Sequence, residues 1–82
     1  MAVEVKTILR QFREELIHPK VSQEAMARKV GISLQWYRQL ESGQQQTTSW
    51  STGNAMLKAF NTEREARGLT ALTLEQFGLT IV

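Results

Sequence analysis

A chain of 82 residues with 41% apolar residues and a net charge of +2 has material for one small hydrophobic core and not two. It contains no cysteine, which excludes a disulfide framework and a thiolate metal site, so packing, alone or with oligomerisation, must hold it together. No apolar run approaches the roughly 20 residues of a membrane span, and the opening MAVEVKTILR lacks an apolar signal core, so no membrane partner and a cytoplasmic location are expected.

The charge is unevenly spread. Up to Gln45 there are seven cations (Lys6, Arg10, Arg13, Lys20, Arg28, Lys29 and Arg38) against five glutamates, whereas the remainder carries three of each sign. This permits contact with a polyanion through the first half without demanding it.

In chain order, Val5, Ile8, Leu9, Phe12 and Leu16 recur at helical spacing and predict a first helix over residues 3–17, with Arg10 and Glu14 paired at i,i+4. His18-Pro19 stops it, which leaves His18 near the negative end of the helix dipole. Ser22 is a good N-cap for a second helix over 23–30, whose inward stripe is Met26 and Val30 and whose Ala27 is small enough for a close helix crossing. Gly31 suits a left-handed residue just past a helix end, Ile32 plugs the turn, and Ser33 caps a third helix over 34–41. There Tyr37 and Leu40 face inward, Trp36 lies on their flank, and Gln35, Arg38 and Gln39 occupy the opposite side. Gly43 ends it. The following GQQQTTSWST is uncharged and reads as a loop, with Trp50 its anchor into the core. A fourth helix starts at Ser51 or Thr52, carries Ala55, Met56, Ala59 and Phe60 on its apolar stripe and the pair Glu63–Arg67, and stops at Gly68. Thr73 to Gln76 has the pattern of a capping box for one more turn, ending at Gly78. The apolar tail 79–82 can pack back, pair as a strand or join a partner subunit. The expected fold is an all-α bundle of four to five helices in a single domain over 1–82, with a two-helix unit at 22–43 and a C-terminal extension over 61–82.

The chemistry of catalysis is poorly represented. The chain has no Asp, no Cys and a single His without an obvious partner, and no glycine-rich phosphate loop; an enzyme, a metal site and a bound cofactor are not expected. The outer face of the third helix suits base-edge reading instead: Gln pairs bidentately with adenine, Arg reaches guanine or phosphate, and Leu34 can meet a thymine methyl. Gln44, Gln45, Thr47 and Thr48 can donate to phosphates or form an ordinary mobile loop. Arg28-Lys29 reads as a solvated corner.

Residues 22–43, SQEAMARKVGISLQWYRQLESG, resemble the Cro/CI-type (XRE-like) helix-turn-helix family of phage repressors, bacterial regulators and antitoxins. The likeness rests on Ser22-Gln23, on Ala27 at the crossing, on Val30-Gly31-Ile32-Ser33 through the turn and on Leu40-Glu41-x-Gly43. It implies a nucleoid-associated transcriptional regulator, in the main a repressor, that binds double-stranded DNA as a homodimer on a pseudo-palindromic site. Gln23 and Ser33 would meet phosphate, Gln35 and Gln39 would read bases, and Arg13 and Glu41 would brace the first helix against the third. Members of this fold that dock a protein, or antitoxins that bind DNA and a toxin, are the alternative. Three features depart from the family pattern: about three extra residues between Arg13 and Gln23, Tyr37 in place of Ile or Val, and Gln44 where a cation often follows the glycine.

Overall fold

The computed structural model describes residues 7–82. Four α-helices, α1 (Ile8–Glu14), α2 (Gln23–Val30), α3 (Leu34–Ser42) and α4 (Trp50–Ala66), are followed by a 3-10 helix (Leu74–Phe77). Two short strands, β1 (Thr47–Thr48) and β2 (Thr80–Ile81), pair in parallel, Thr47 opposite Thr80 and Thr48 opposite Ile81. The bundle is all-α apart from this ladder, which answers the question left open for the tail: it pairs as a strand.

One device starts all four α-helices. The hydroxyls of Thr7, Ser22, Ser33 and Ser49 each accept the amide three residues on, from Arg10 (3.2 Å), Ala25 (3.1 Å), Trp36 (3.0 Å) and Thr52 (3.2 Å). Each satisfies a donor that the first helical turn cannot, for about 1 kcal/mol. Two ends use glycine: Gly31 and Gly43 sit at φ +89° and +86°, left-handed geometry in which a Cβ would be strained.

Several boundaries differ from expectation. Within the described residues α1 begins at Ile8, because Thr7 is extended and caps it, and it ends at Glu14 instead of Ile17; the expected helical residues 3–6, Val5 included, lie outside the described part. His18 is therefore four residues past the helix and not at its dipole end. The bend it occupies is held from across the molecule, where Arg67 Nε donates to the Ile17 carbonyl at 3.0 Å and Nη2 to that of Pro19. Trp50 is not a core anchor. Ser49 rather than Ser51 caps α4, so Trp50 is its first residue and is 63% exposed.

The core is built where the stripes meet. Leu9 and Leu16, Met26 and Val30, Tyr37 and Leu40, and Met56 and Phe60 are buried from α1 and the segment after it, α2, α3 and α4 respectively. Ala27 is buried with them, at 2% exposure. The C-terminal segment closes the bundle. Phe77 packs edge-on to Phe12 with centroids 6.2 Å apart and lies 5.4 Å from Phe60. The Asn61 carboxamide bonds both backbone groups of Leu72, at 2.7 and 3.1 Å, and so ties that segment to α4. Gln76 reaches back to the Thr73 amide at 2.7 Å, as the capping-box pattern predicts. Both expected i,i+4 ion pairs form, Arg10–Glu14 at 2.9 Å and Glu63–Arg67 at 3.1 Å. No helix among the described residues is long and apolar enough to cross a membrane.

Candidate nucleic-acid interface

The turn between α2 and α3 fixes which side of α3 meets solvent. The amides of Gly31 and Ile32 both return to the Ala27 carbonyl, at 2.9 and 3.1 Å, which closes α2 and swings the chain into the Ser33 cap. Alpha-helical spacing then turns Tyr37, Leu40 and Glu41 inward, at 0%, 1% and 2% exposure, while Gln35, Arg38 and Ser42 are exposed and Leu34, Trp36 and Gln39 half-buried. Neither the Gln35 nor the Gln39 carboxamide is hydrogen-bonded to another described residue. Each leaves two donors and an acceptor free. Ser33, at the start of the same helix, is exposed; its hydroxyl oxygen accepts the Trp36 amide at 3.0 Å, which leaves the O–H hydrogen to donate.

The inner end of α3 is locked by charge. Arg13 Nε lies 2.9 Å from Glu41 Oε2 and Nη2 lies 2.8 Å from Oε1, a two-pronged guanidinium–carboxylate pair between α1 and α3. Arg13 Nη1 also donates to the Val21 carbonyl at 3.1 Å, which pins the segment leading into α2. Thr7 Oγ1 donates to the Glu41 carbonyl. Arg13 and Glu41 thus meet in one hydrogen-bonded network between α1 and α3. The bonds to Glu41, and then its charge, raise the Arg13 pKa above its ordinary value against the effect of burial.

Gln23 joins this network. Its Nε2 donates to Glu41 Oε1 at 3.1 Å, which orients the side chain and still leaves the second amide hydrogen available. Arg10, Arg13, Gln23, Arg38, Glu41 and Ser42 line one open cleft of about 390 Å³. The structure therefore brings Gln23 and Arg38 together, with Arg10 beside them. Sequence reasoning gives Arg10 only a helix ion pair and passes over Ser42, so it misses both as members of this cleft. The signal for Arg10 was its place one turn before Arg13 on the same helix, and for Ser42 its place one turn after Arg38 and Gln39.

Gln44 follows the left-handed Gly43 and is exposed, its amide 3.4 Å from Ser42 Oγ. Two of its neighbours fold back on the loop: Gln45 Nε2 donates to the Thr47 carbonyl at 3.2 Å and Gln46 Nε2 to that of Gly43 at 3.4 Å. Thr48 is buried and belongs to the ladder, so it is not an outward donor. Arg28 pairs with Glu24 at 3.2 Å and Lys29 with Glu63 at 3.4 Å. Tyr37 finds the room its bulk demands, but its hydroxyl has no hydrogen-bond partner among the described residues. Burial, and then the neighbouring Glu41 carboxylate, push this phenol far above its usual range. Among the described residues no group of three or more His, Cys, Asp or Glu side chains could hold a metal ion.

Compared with known proteins, residues 7–69 match a family model described as a helix-turn-helix domain. No curated protein and no solved structure shows significant similarity to the chain.

Proposed function

The chain belongs to the helix-turn-helix domain family, and from that premise we propose that it is a sequence-specific DNA-binding regulator of transcription that inserts α3 into the major groove. The observation that carries this reading is the two-sided character of α3. Its aromatic and aliphatic side is sealed in the core, and on the other the side chains of Gln35, Arg38 and Gln39 have no hydrogen-bond or ion-pair partner among the described residues. Gln35 and Gln39 read base edges, Leu34 meets a thymine methyl, and Arg38 takes guanine or phosphate. Gln23, Ser33 and Gln44 contact the backbone and set register, with Arg10 beside Gln23 in the same cleft.

Two such units on a pseudo-palindromic site would place their recognition helices about 34 Å apart. We assign α4 as the surface for that dimer, since the tail 79–82 is already paired with Thr47–Thr48. Bound at a promoter, it acts as a repressor by steric exclusion, in the cytoplasm at the nucleoid. The uncharged loop 43–52 and the exposed Trp50 favour a second reading, a protein-docking module or an antitoxin that also binds a toxin.

The test is a titration of random-sequence duplex at low and moderate salt, followed by selection of bound duplexes from a random pool. Duplex binding that weakens as salt rises, with a recurring two-fold-symmetric sequence among the selected molecules, supports the regulator. No binding at low salt overturns it in favour of protein docking.

A further inference from the structure

The family match ends at residue 69, yet the chain continues and returns to the recognition unit. The Thr80 amide donates to the Gln46 carbonyl at 2.8 Å and the Val82 amide to that of Thr48 at 3.1 Å. Both acceptors lie in the loop between α3 and α4. The Ile81 side chain is seated on α4 at Gly53: a Cβ on that glycine would stand 3.1 Å from Ile81 Cδ1 and 3.3 Å from Leu74 Cδ1. A glycine in a helix interior costs roughly 0.5–1 kcal/mol relative to alanine, and here it opens the space the tail occupies. Gly78 and Leu79 face Gly43, Gln45 and Gln46 across the same junction.

We propose that the segment 79–82 is a positioning element: paired with Thr47–Thr48 and seated over Gly53, it holds the loop 43–49 in the shape in which that loop meets the DNA backbone. This rests on the DNA-binding reading of α3 and adds to it. The loop has no charge to draw it onto a polyanion, so the contact proposed for Gln44 is a hydrogen bond that needs fixed geometry. The ladder supplies that geometry from outside the helix-turn-helix unit. Ile81 and Thr80 touch no nucleotide in this account and act through the loop.

The consequence can be told apart from general destabilisation. Contacts made by neutral groups release no counterions. Loosening the loop therefore lowers affinity by the same factor on every duplex and at every salt concentration, and leaves the slope of log affinity against log salt unchanged.

The experiment compares the full chain with Thr80→Pro, which removes the amide that bonds Gln46, and with Ile81→Ala, which empties the seat at Gly53. Binding is measured on a labelled random-sequence duplex and on a duplex recovered by selection, across a salt series well below each variant's melting temperature. Hydrogen exchange of the free proteins reports the amides of 44–49. The expected result is a loss of about three- to tenfold on both duplexes, an unchanged salt slope and faster exchange in the loop. Wild-type affinity in both variants would overturn the positioning role and leave DNA binding standing. A loss confined to the selected duplex would also overturn it and assign the tail to the dimer. If the wild-type chain binds neither duplex at low salt, the DNA reading fails and takes this role with it.

Discussion

Replacing Arg13 by Met strips Glu41 of its cationic partner without removing the aliphatic bulk between α1 and α3. The Glu41 side chain is 1% exposed and that of Arg13 16%, so water cannot take over the lost bonds. Three contacts to the carboxylate go, at 2.8, 2.9 and 3.2 Å, together with the bond to the Val21 carbonyl. What remains for the Glu41 carboxylate among the described residues is the Gln23 carboxamide at 3.1 Å. Removing one member of a buried ion pair costs about 3–5 kcal/mol, because the other charge is left uncompensated. A domain of this size has on the order of 4–12 kcal/mol in all. Urea unfolding followed by tryptophan fluorescence should therefore show Arg13→Met close to the limit of folding. The double variant Arg13→Met/Glu41→Gln removes the stranded charge and should recover about 1–3 kcal/mol of the loss. A single-variant loss below about 1 kcal/mol, or no recovery in the double variant, would refute the claim that this pair braces α3.

Tyr37 gives a prediction in pH. Its phenol is raised above the ordinary value of 10.0 in the folded state, so above about pH 10 the unfolded chain releases a proton that the folded chain keeps. The stabilising contribution is complete below pH 10 and fades as pH rises further; Tyr37→Phe should flatten that alkaline loss in pH-dependent denaturation. At neutral pH the same variant should match or exceed the wild type by about 1 kcal/mol, since it deletes a buried hydroxyl without a partner among the described residues; a clear loss of melting temperature would contradict this. Gly31→Ala puts a Cβ at φ +89°, with no neighbour to relieve or worsen it, and should cost about 1–2 kcal/mol in thermal unfolding. Ser49→Ala removes the α4 cap and should cost about 1 kcal/mol by the same measurement.

The parts of the fold set by local chemistry were readable from residue order. Ser22, Gly31, Ser33 and Gly43 each act within one helical turn, and they bound α2 and α3 within one residue of expectation. The stripe Tyr37–Leu40 turned inward because period alone decides which face is apolar. What escaped depends on competition or distance. Ser49, Ser51 and Thr52 are all chemically able to cap a helix, and nothing nearby distinguishes them. The first took the role and carried Trp50 onto the surface. The end of α1 was misplaced because its last apolar residue, Leu16, is buried from beyond the helix and mimics one more turn. The destination of the tail was open because two-residue strands show no periodicity, and the partner of Thr80 lies across the whole of α4. At the candidate interface the helix face was visible in advance. The cleft that gathers Arg10, Gln23 and Arg38 from three helices was not.

If the polar side of α3 reads bases, a parallel titration of wild type and Gln39→Ala against a selected duplex and a random one will separate the two duplexes. The expected loss for Gln39→Ala is about 1–3 kcal/mol on the selected duplex and far less on the random one. Equal losses on both duplexes would contradict it.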